Sequence, residues 1–106
     1  LTIVEGPAGA VMDKIRLLAR QEEERGGRVG IIATDETAAS YPVGIVKSVG
    51  TRTDELSISS HLYGILREFD QLQVTRIYSE AFETPMLGQA IMNRLMKAAG
   101  HQVILV

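Results

Sequence analysis

Apolar residues recur along this chain in two alternating rhythms. Short aliphatic and β-branched runs, Leu1–Val4, Val29–Ala33, Gly44–Val49, Val74–Ser79 and Gln102–Val106, read as strands. Between them lie stretches with helical spacing. Val11, Ile15 and Leu18, four and three residues apart, define one face of a first helix. Its end, Gln21-Glu22-Glu23-Glu24-Arg25-Gly26-Gly27, sets acids against the macrodipole before glycines suited to a left-handed cap, which predicts a solvated, frayed last turn. Ile58, Leu62, Ile65, Leu66 and Phe69 form the inward face of a second helix, with Thr53 or Asp54 as its cap and Arg67 and Asp70 outward. Leu87, Ile91, Leu95 and Ala98 line a third, for which Thr84 and Pro85 predict the start and Gly100 the end.

No helix fits between Thr34 and Pro42, so the order is β-α-β-β-α-β-α-β. That alternation predicts a three-layer α/β/α, Rossmann-like architecture with a mainly parallel five-stranded sheet and about three helices. Right-handed crossovers suggest the strand order 3-2-1-4-5. The turns at 5–9, 34–42, 50–54 and 80–85 then gather along the carboxyl edge of the sheet, where open α/β sheets bind ligands.

With 106 residues, 45% of them hydrophobic, the chain is long enough for a single domain whose core needs neither disulfide nor metal. A net charge of −2 leaves no basic excess, so direct nucleic-acid contact is not expected. The absence of cysteine removes thiolate chemistry, and two isolated histidines, His61 and His101, do not make a metal site. No apolar run approaches the ~18 residues that cross a bilayer, so no membrane partner is expected and the chain reads as cytoplasmic. It opens directly on a strand, Leu1-Thr2-Ile3-Val4, as expected of a piece trimmed from something longer.

The residues themselves offer little reaction chemistry. Glu5-Gly6-Pro7-Ala8-Gly9 has neither the full Gly-x-Gly-x-x-Gly nor a Gly-Lys-Ser/Thr, and Pro7 removes a donor that a phosphate cradle would use. Glu5, Asp35, Glu36, Asp54, Glu80 and Glu83 recur at the carboxyl edge, where grouped carboxylates could share protons or hold Mg²⁺. Asp35 and Glu80 would lead such a site; otherwise Asp54 is a helix cap and the rest are solvated. A phosphoacceptor receiver domain is excluded, because strand one is followed by a lone Glu5, strand three by Gly50, and no lysine follows the last strand. No serine sits in a Gly-x-Ser-x-Gly elbow, His61 falls on a polar helix face, and Met92 and Met96 read as packing.

Three segments are specific in wording: Gly30-Ile31-Ile32-Ala33-Thr34-Asp35-Glu36, Leu62-Tyr63-Gly64-Ile65-Leu66-Arg67-Glu68-Phe69-Asp70, and Leu87 to Ala99 with its Asn93-Arg94-Leu95-Met96-Lys97-Ala98-Ala99 ending. Together they resemble the C-terminal accessory domain of the long form of threonylcarbamoyl-adenylate synthase, over essentially the whole chain. Relatives often read Gly-Leu-Gly where this chain has Met86-Leu87-Gly88. The resemblance implies a parent nucleotidyltransferase that joins ATP, threonine and bicarbonate into threonylcarbamoyl-adenylate and releases pyrophosphate, for threonylcarbamoyladenosine in transfer RNA. It places catalysis, and the ATP with its Mg²⁺, on an N-terminal domain and linker absent from this chain, so no catalytic, cofactor-binding or metal residue carries over. The expected partners are that domain and linker, met by fixed charges such as Asp35, Glu36, Arg52, Arg67 and Glu80. The competing expectation is a free-standing ligand-binding or regulatory module using the same edge.

Overall fold

The computed structural model describes residues 1–82 and 84–106. The elements run β1 (Thr2–Glu5), α1 (Ala8–Glu24), β2 (Val29–Ala33), β3 (Ile45–Ser48), α2 (Glu55–Gln71), β4 (Arg76–Glu80), α3 (Gly88–Ala99) and β5 (Val103–Leu105), with a 3₁₀ turn at Ala38–Ser40. All strand pairs are parallel, as expected of strands joined by crossovers. The order, however, is β3-β2-β4-β1-β5: β4 lies between β2 and β1, where 3-2-1-4-5 had been expected. A helix of α1's length spans two strands as easily as one, so the alternation of elements does not distinguish these orders.

Side chains alternate across the sheet. Ile3 and Ile32 point to the layer of α2 and α3, among Ile58, Leu62, Phe69, Ile91 and Leu95. Val4, Ile31 and Ala33 point the other way, to Val11, Ile15 and Ala19 of α1 and to Tyr41. A uniform crossover hand accounts for the division: connections leading toward β3 pack on one face and those leading toward β5 on the other. The β2–β3 connection has no α-helix, and Tyr41, 5% exposed, fills that part of the layer instead. Gly30 lets α2 lie close to β2, since a Cβ there would stand 2.9 Å from the Phe69 ring.

Three helical details depart from the pattern. The end of α1 is helical through Glu24, and Glu22 is buried because its carboxylate accepts from the Thr75 hydroxyl (2.8 Å) and from Arg25 (2.9 Å). α3 begins at Gly88 rather than at Pro85. The Met86 and Leu87 amides donate to the Glu55 carboxylate at 3.0 and 2.8 Å, so the acceptor comes from the first turn of α2, not from Thr84. On α3 it is Ala99 that is buried and Ala98 that is exposed. Asp54 caps α2 as expected, accepting from the Ser57 amide at 3.1 Å.

Candidate functional site

The turns after β1, β2, β3 and β4 meet at the carboxyl edge around a cleft of about 390 Å³. Glu5, Ala8 and Val11 line it from β1 and α1, and Thr37, Arg52 and Glu80 line it from the later turns and the end of β4. The lining follows from local chemistry. Gly6 (φ +152°) allows the chain to leave β1 beside the backbone of Val106, where a Cβ would stand 2.4 Å from the Val106 carbonyl oxygen. Pro7 then begins α1 without a side-chain cap.

The β2 and β3 turns are laced together. Ser48 Oγ donates to Asp35 Oδ1 at 2.6 Å, the Gly50 amide donates to Ser48 Oγ at 3.1 Å, and the Asp35 amide donates to the Gly50 carbonyl at 2.9 Å. The Arg52 amide donates to both oxygens of Glu36, at 2.9 and 3.1 Å. Asp35 and Glu36 are therefore exposed yet held in place.

Beneath them sits Glu80, whose side chain is only 3% exposed. A buried carboxylate needs partners, and it has one on each oxygen: Arg52 Nη2 at 2.7 Å on Oε1 and the Tyr41 hydroxyl at 2.5 Å on Oε2. Arg52 Nη1 also donates to the Ala81 carbonyl at 3.0 Å, and its guanidinium lies 5.8 Å from the centre of the Phe82 ring. Burial, then the bond to Glu80 and its charge, push the Tyr41 phenol far above its usual pKa, so it stays a donor. Arg16, paired with Asp13, donates to the Ser40 carbonyl at 3.0 Å and holds this connection on α1.

Of the charges expected to dock a partner, Asp35, Glu36 and Arg52 lie together on the rim, with Arg52 40% exposed, while Glu80 is the buried anchor below them. Arg67 is elsewhere: it is exposed on α2, twelve residues past Glu55 and so roughly 18 Å along the helix. Among the described residues it makes no ion pair with Asp70. The carboxylates expected to lead a Mg²⁺ site are each engaged by protein donors, and no group of three metal-ligating side chains occurs among the described residues. Glu83 lies outside those residues. His61 bonds within α2, its Nδ1 2.8 Å from the Ser57 carbonyl. Sequence reasoning missed Tyr41 and Glu55. Both act on partners more than thirty residues away, which no local spacing signals.

Residues 1–100 match the family model described as the C-terminal domain of threonylcarbamoyl-AMP synthase. The threonylcarbamoyl-AMP synthase of Bacillus subtilis is 41% identical over 98% of this chain, and that of Pyrococcus abyssi 38% over 96%. The chain spans only 29% and 28% of those relatives' lengths. Among solved structures, a double-alanine variant of the P. abyssi Sua5 protein superposes with a TM-score of 0.87 at 38% identity, over 99% of this chain and 29% of that one. A C-terminal Sua5 domain from Pyrococcus horikoshii, crystallised as a separate chain, superposes at 0.75 with 29% identity, over 99% of this chain and 94% of that one.

Proposed function

Because this chain belongs to the family of threonylcarbamoyl-AMP synthase C-terminal domains, we propose that it serves as the accessory domain of such an enzyme. In this reading a preceding catalytic domain, working in the cytoplasm with ATP and Mg²⁺, joins threonine, bicarbonate and ATP into threonylcarbamoyl-adenylate for transfer-RNA modification. The domain described here docks its carboxyl edge on that domain or its linker and restricts access to the nucleotide. The chain's match to a little under a third of each curated relative supports a division of labour.

One observation carries the docking face: Asp35 and Glu36 are exposed but fixed by Ser48 and by the Arg52 amide. Charges held this way set the orientation of a partner without the entropy loss of ordering loose side chains. Interfaces between domains of one chain are modest and partly polar, which suits an arrangement that opens and closes. The test is Asp35→Lys with Glu36→Lys in the product of the uninterrupted gene. Turnover, read as pyrophosphate release, should fall by about tenfold, a loss of ~1.4 kcal/mol at the transition state, while this domain stays folded, with a midpoint lowered only by the lost bonds to Ser48 and the Arg52 amide. Unchanged kinetics would count against docking at this edge.

A further inference from the structure

Where α2 meets α3, the outer surface carries a strip of apolar residues that the core does not use. Met86, 86% exposed, and Leu56, 74% exposed, stand at its carboxyl-edge end, and Tyr63 is exposed further along α2. None of the three belongs to either hydrophobic cluster. The fold brings them together. Glu55, the residue before Leu56, holds the Met86 amide at 3.0 Å, which sets the first turn of α2 against the entry to α3. Tyr63 follows Leu56 by seven residues, so the two share a side of the helix roughly 10 Å apart. Arg94 of α3 spans the seam: its guanidinium carbon lies 4.1 Å from the centre of the Tyr63 ring.

Single exposed apolar residues are ordinary, but a strip of them beside a cation has the make-up of a recognition surface. Tyrosine, methionine and arginine are enriched in interfaces, whereas the lysine and glutamate of an ordinary helix surface are depleted there. Arg94 is the specific element. Among the described residues it makes no ion pair, and stacking on a ring leaves the N–H donors around the edge of its guanidinium directed outward. A guanidinium held in this way takes a carboxylate through two parallel bonds. Ala90 and Ala98, four residues to either side of Arg94, are exposed and short, so a second segment can reach it along α3.

We propose that this seam receives the preceding part of the parent protein, through a segment that sets apolar side chains on Leu56, Tyr63 and Met86 and one Asp or Glu on Arg94. Two observations choose that occupant. The chain matches a C-terminal domain and spans 29% and 28% of its curated relatives, so the larger part of such a protein adjoins it. The seam also continues from the edge where Asp35 and Glu36 are held: the Arg52 amide bonds Glu36, Asp54 caps α2 and Glu55 reaches Met86, all from four consecutive residues. The inference rests on the docking reading and deepens it. Charges at the rim orient the partner, and aromatic and apolar contacts at the seam hold it.

The experiment is hydroxyl-radical labelling, read residue by residue by mass spectrometry, of the 106-residue chain and of the product of the uninterrupted gene. Met86 and Tyr63 should label about fivefold more slowly in the longer protein, at any protein concentration, as expected of side chains in the dry centre of an interface. Leu17 on α1, half exposed, should label equally in both. Arg94→Glu in the longer protein should bring Met86 and Tyr63 to the rates of the same variant of the 106-residue chain. If Arg94→Glu does not fold, Met86→Lys serves, read at Tyr63. Equal labelling of Met86 and Tyr63 in the two wild-type proteins overturns the seam, and slowing that grows with protein concentration overturns it in favour of a second copy. The docking reading fails separately. Slow labelling at the seam with unchanged kinetics in Asp35→Lys with Glu36→Lys keeps the seam and removes the acidic rim, whereas equal labelling with impaired kinetics does the reverse.

Discussion

Two buried glutamates stand at opposite edges of the sheet and are used differently. Glu22, near the end of α1, is satisfied by Thr75 and by Arg25 one helical turn away, and this ties α1 to the strand-start side of β4. Glu80, at the end of β4, is satisfied by Tyr41 and Arg52, which arrive from two separate connections, and it also lines a cleft. The chemical requirement is the same in both places, because a buried carboxylate must be bonded. Around Glu22 one partner, Arg25, is local and the other, Thr75, pins the end of α1 to the start of β4. Around Glu80 the partners assemble a surface from three turns, and that is the edge suited to meeting something else.

Breaking the Glu80 cluster should have the largest effect. Glu80→Ala strands the Tyr41 hydroxyl and removes the partner of Arg52, and should cost about 3 kcal/mol, the low end for a broken buried pair because Arg52 is part exposed. A urea midpoint at unchanged m-value reads it. Tyr41→Phe removes one of Glu80's two bonds and should cost about 1–2 kcal/mol. It should also change the alkaline limb. The raised pKa of Tyr41 keeps its phenol protonated in the fold while the unfolded phenol ionises near pH 10, so stability falls as pH climbs past about 10. In Tyr41→Phe that fall should be shallower, with Tyr78, whose pKa is also raised by burial and by Glu22, retaining its own share.

The Glu22 edge should respond less. Thr75→Val should cost about 1 kcal/mol, since Arg25 remains bonded to the carboxylate. Its signature lies in acid. The Thr75 hydroxyl, with Arg25, holds the Glu22 carboxyl below its ordinary value against the opposing effect of burial. The stability this lends is present above the usual carboxylate range and is lost as pH falls through the lowered value. Thermal midpoints measured from neutral pH downward should therefore fall less steeply in Thr75→Val than in wild type. Arg25→Ala should be the mildest, under about 1 kcal/mol, because the arginine is 70% exposed.

The same contrast explains what the sequence made legible. Ile58, Leu62, Ile65 and Phe69 keep helical spacing, so periodicity finds them, whereas the Glu22 turn read as solvated because its partner Thr75 lies fifty-three residues away. The alternation of elements likewise yields the three layers and the gathering of turns at the carboxyl edge. Strand order was not legible, because nothing local to β1, β2 or β4 states which pair is adjacent. Thr84-Pro85 reads as a helix start, yet Glu55, thirty-one residues before Met86, supplies the acceptor and the helix begins later. The Tyr41–Glu80 bond spans thirty-nine residues, and Arg67 carries the same charge as Arg52 but lies down the helix from the edge. Charge type was readable; the distance between charges belongs to the fold.

The central claim, that this domain supports a reaction carried out elsewhere in a longer protein, is tested most directly by pyrophosphate release from ATP in the presence of threonine and bicarbonate. The 106-residue chain is compared with the product of the uninterrupted gene. Release by the longer protein and none above background by the chain alone is the predicted result. Release by the 106-residue chain itself would contradict the account and would place the reaction at its own carboxyl edge.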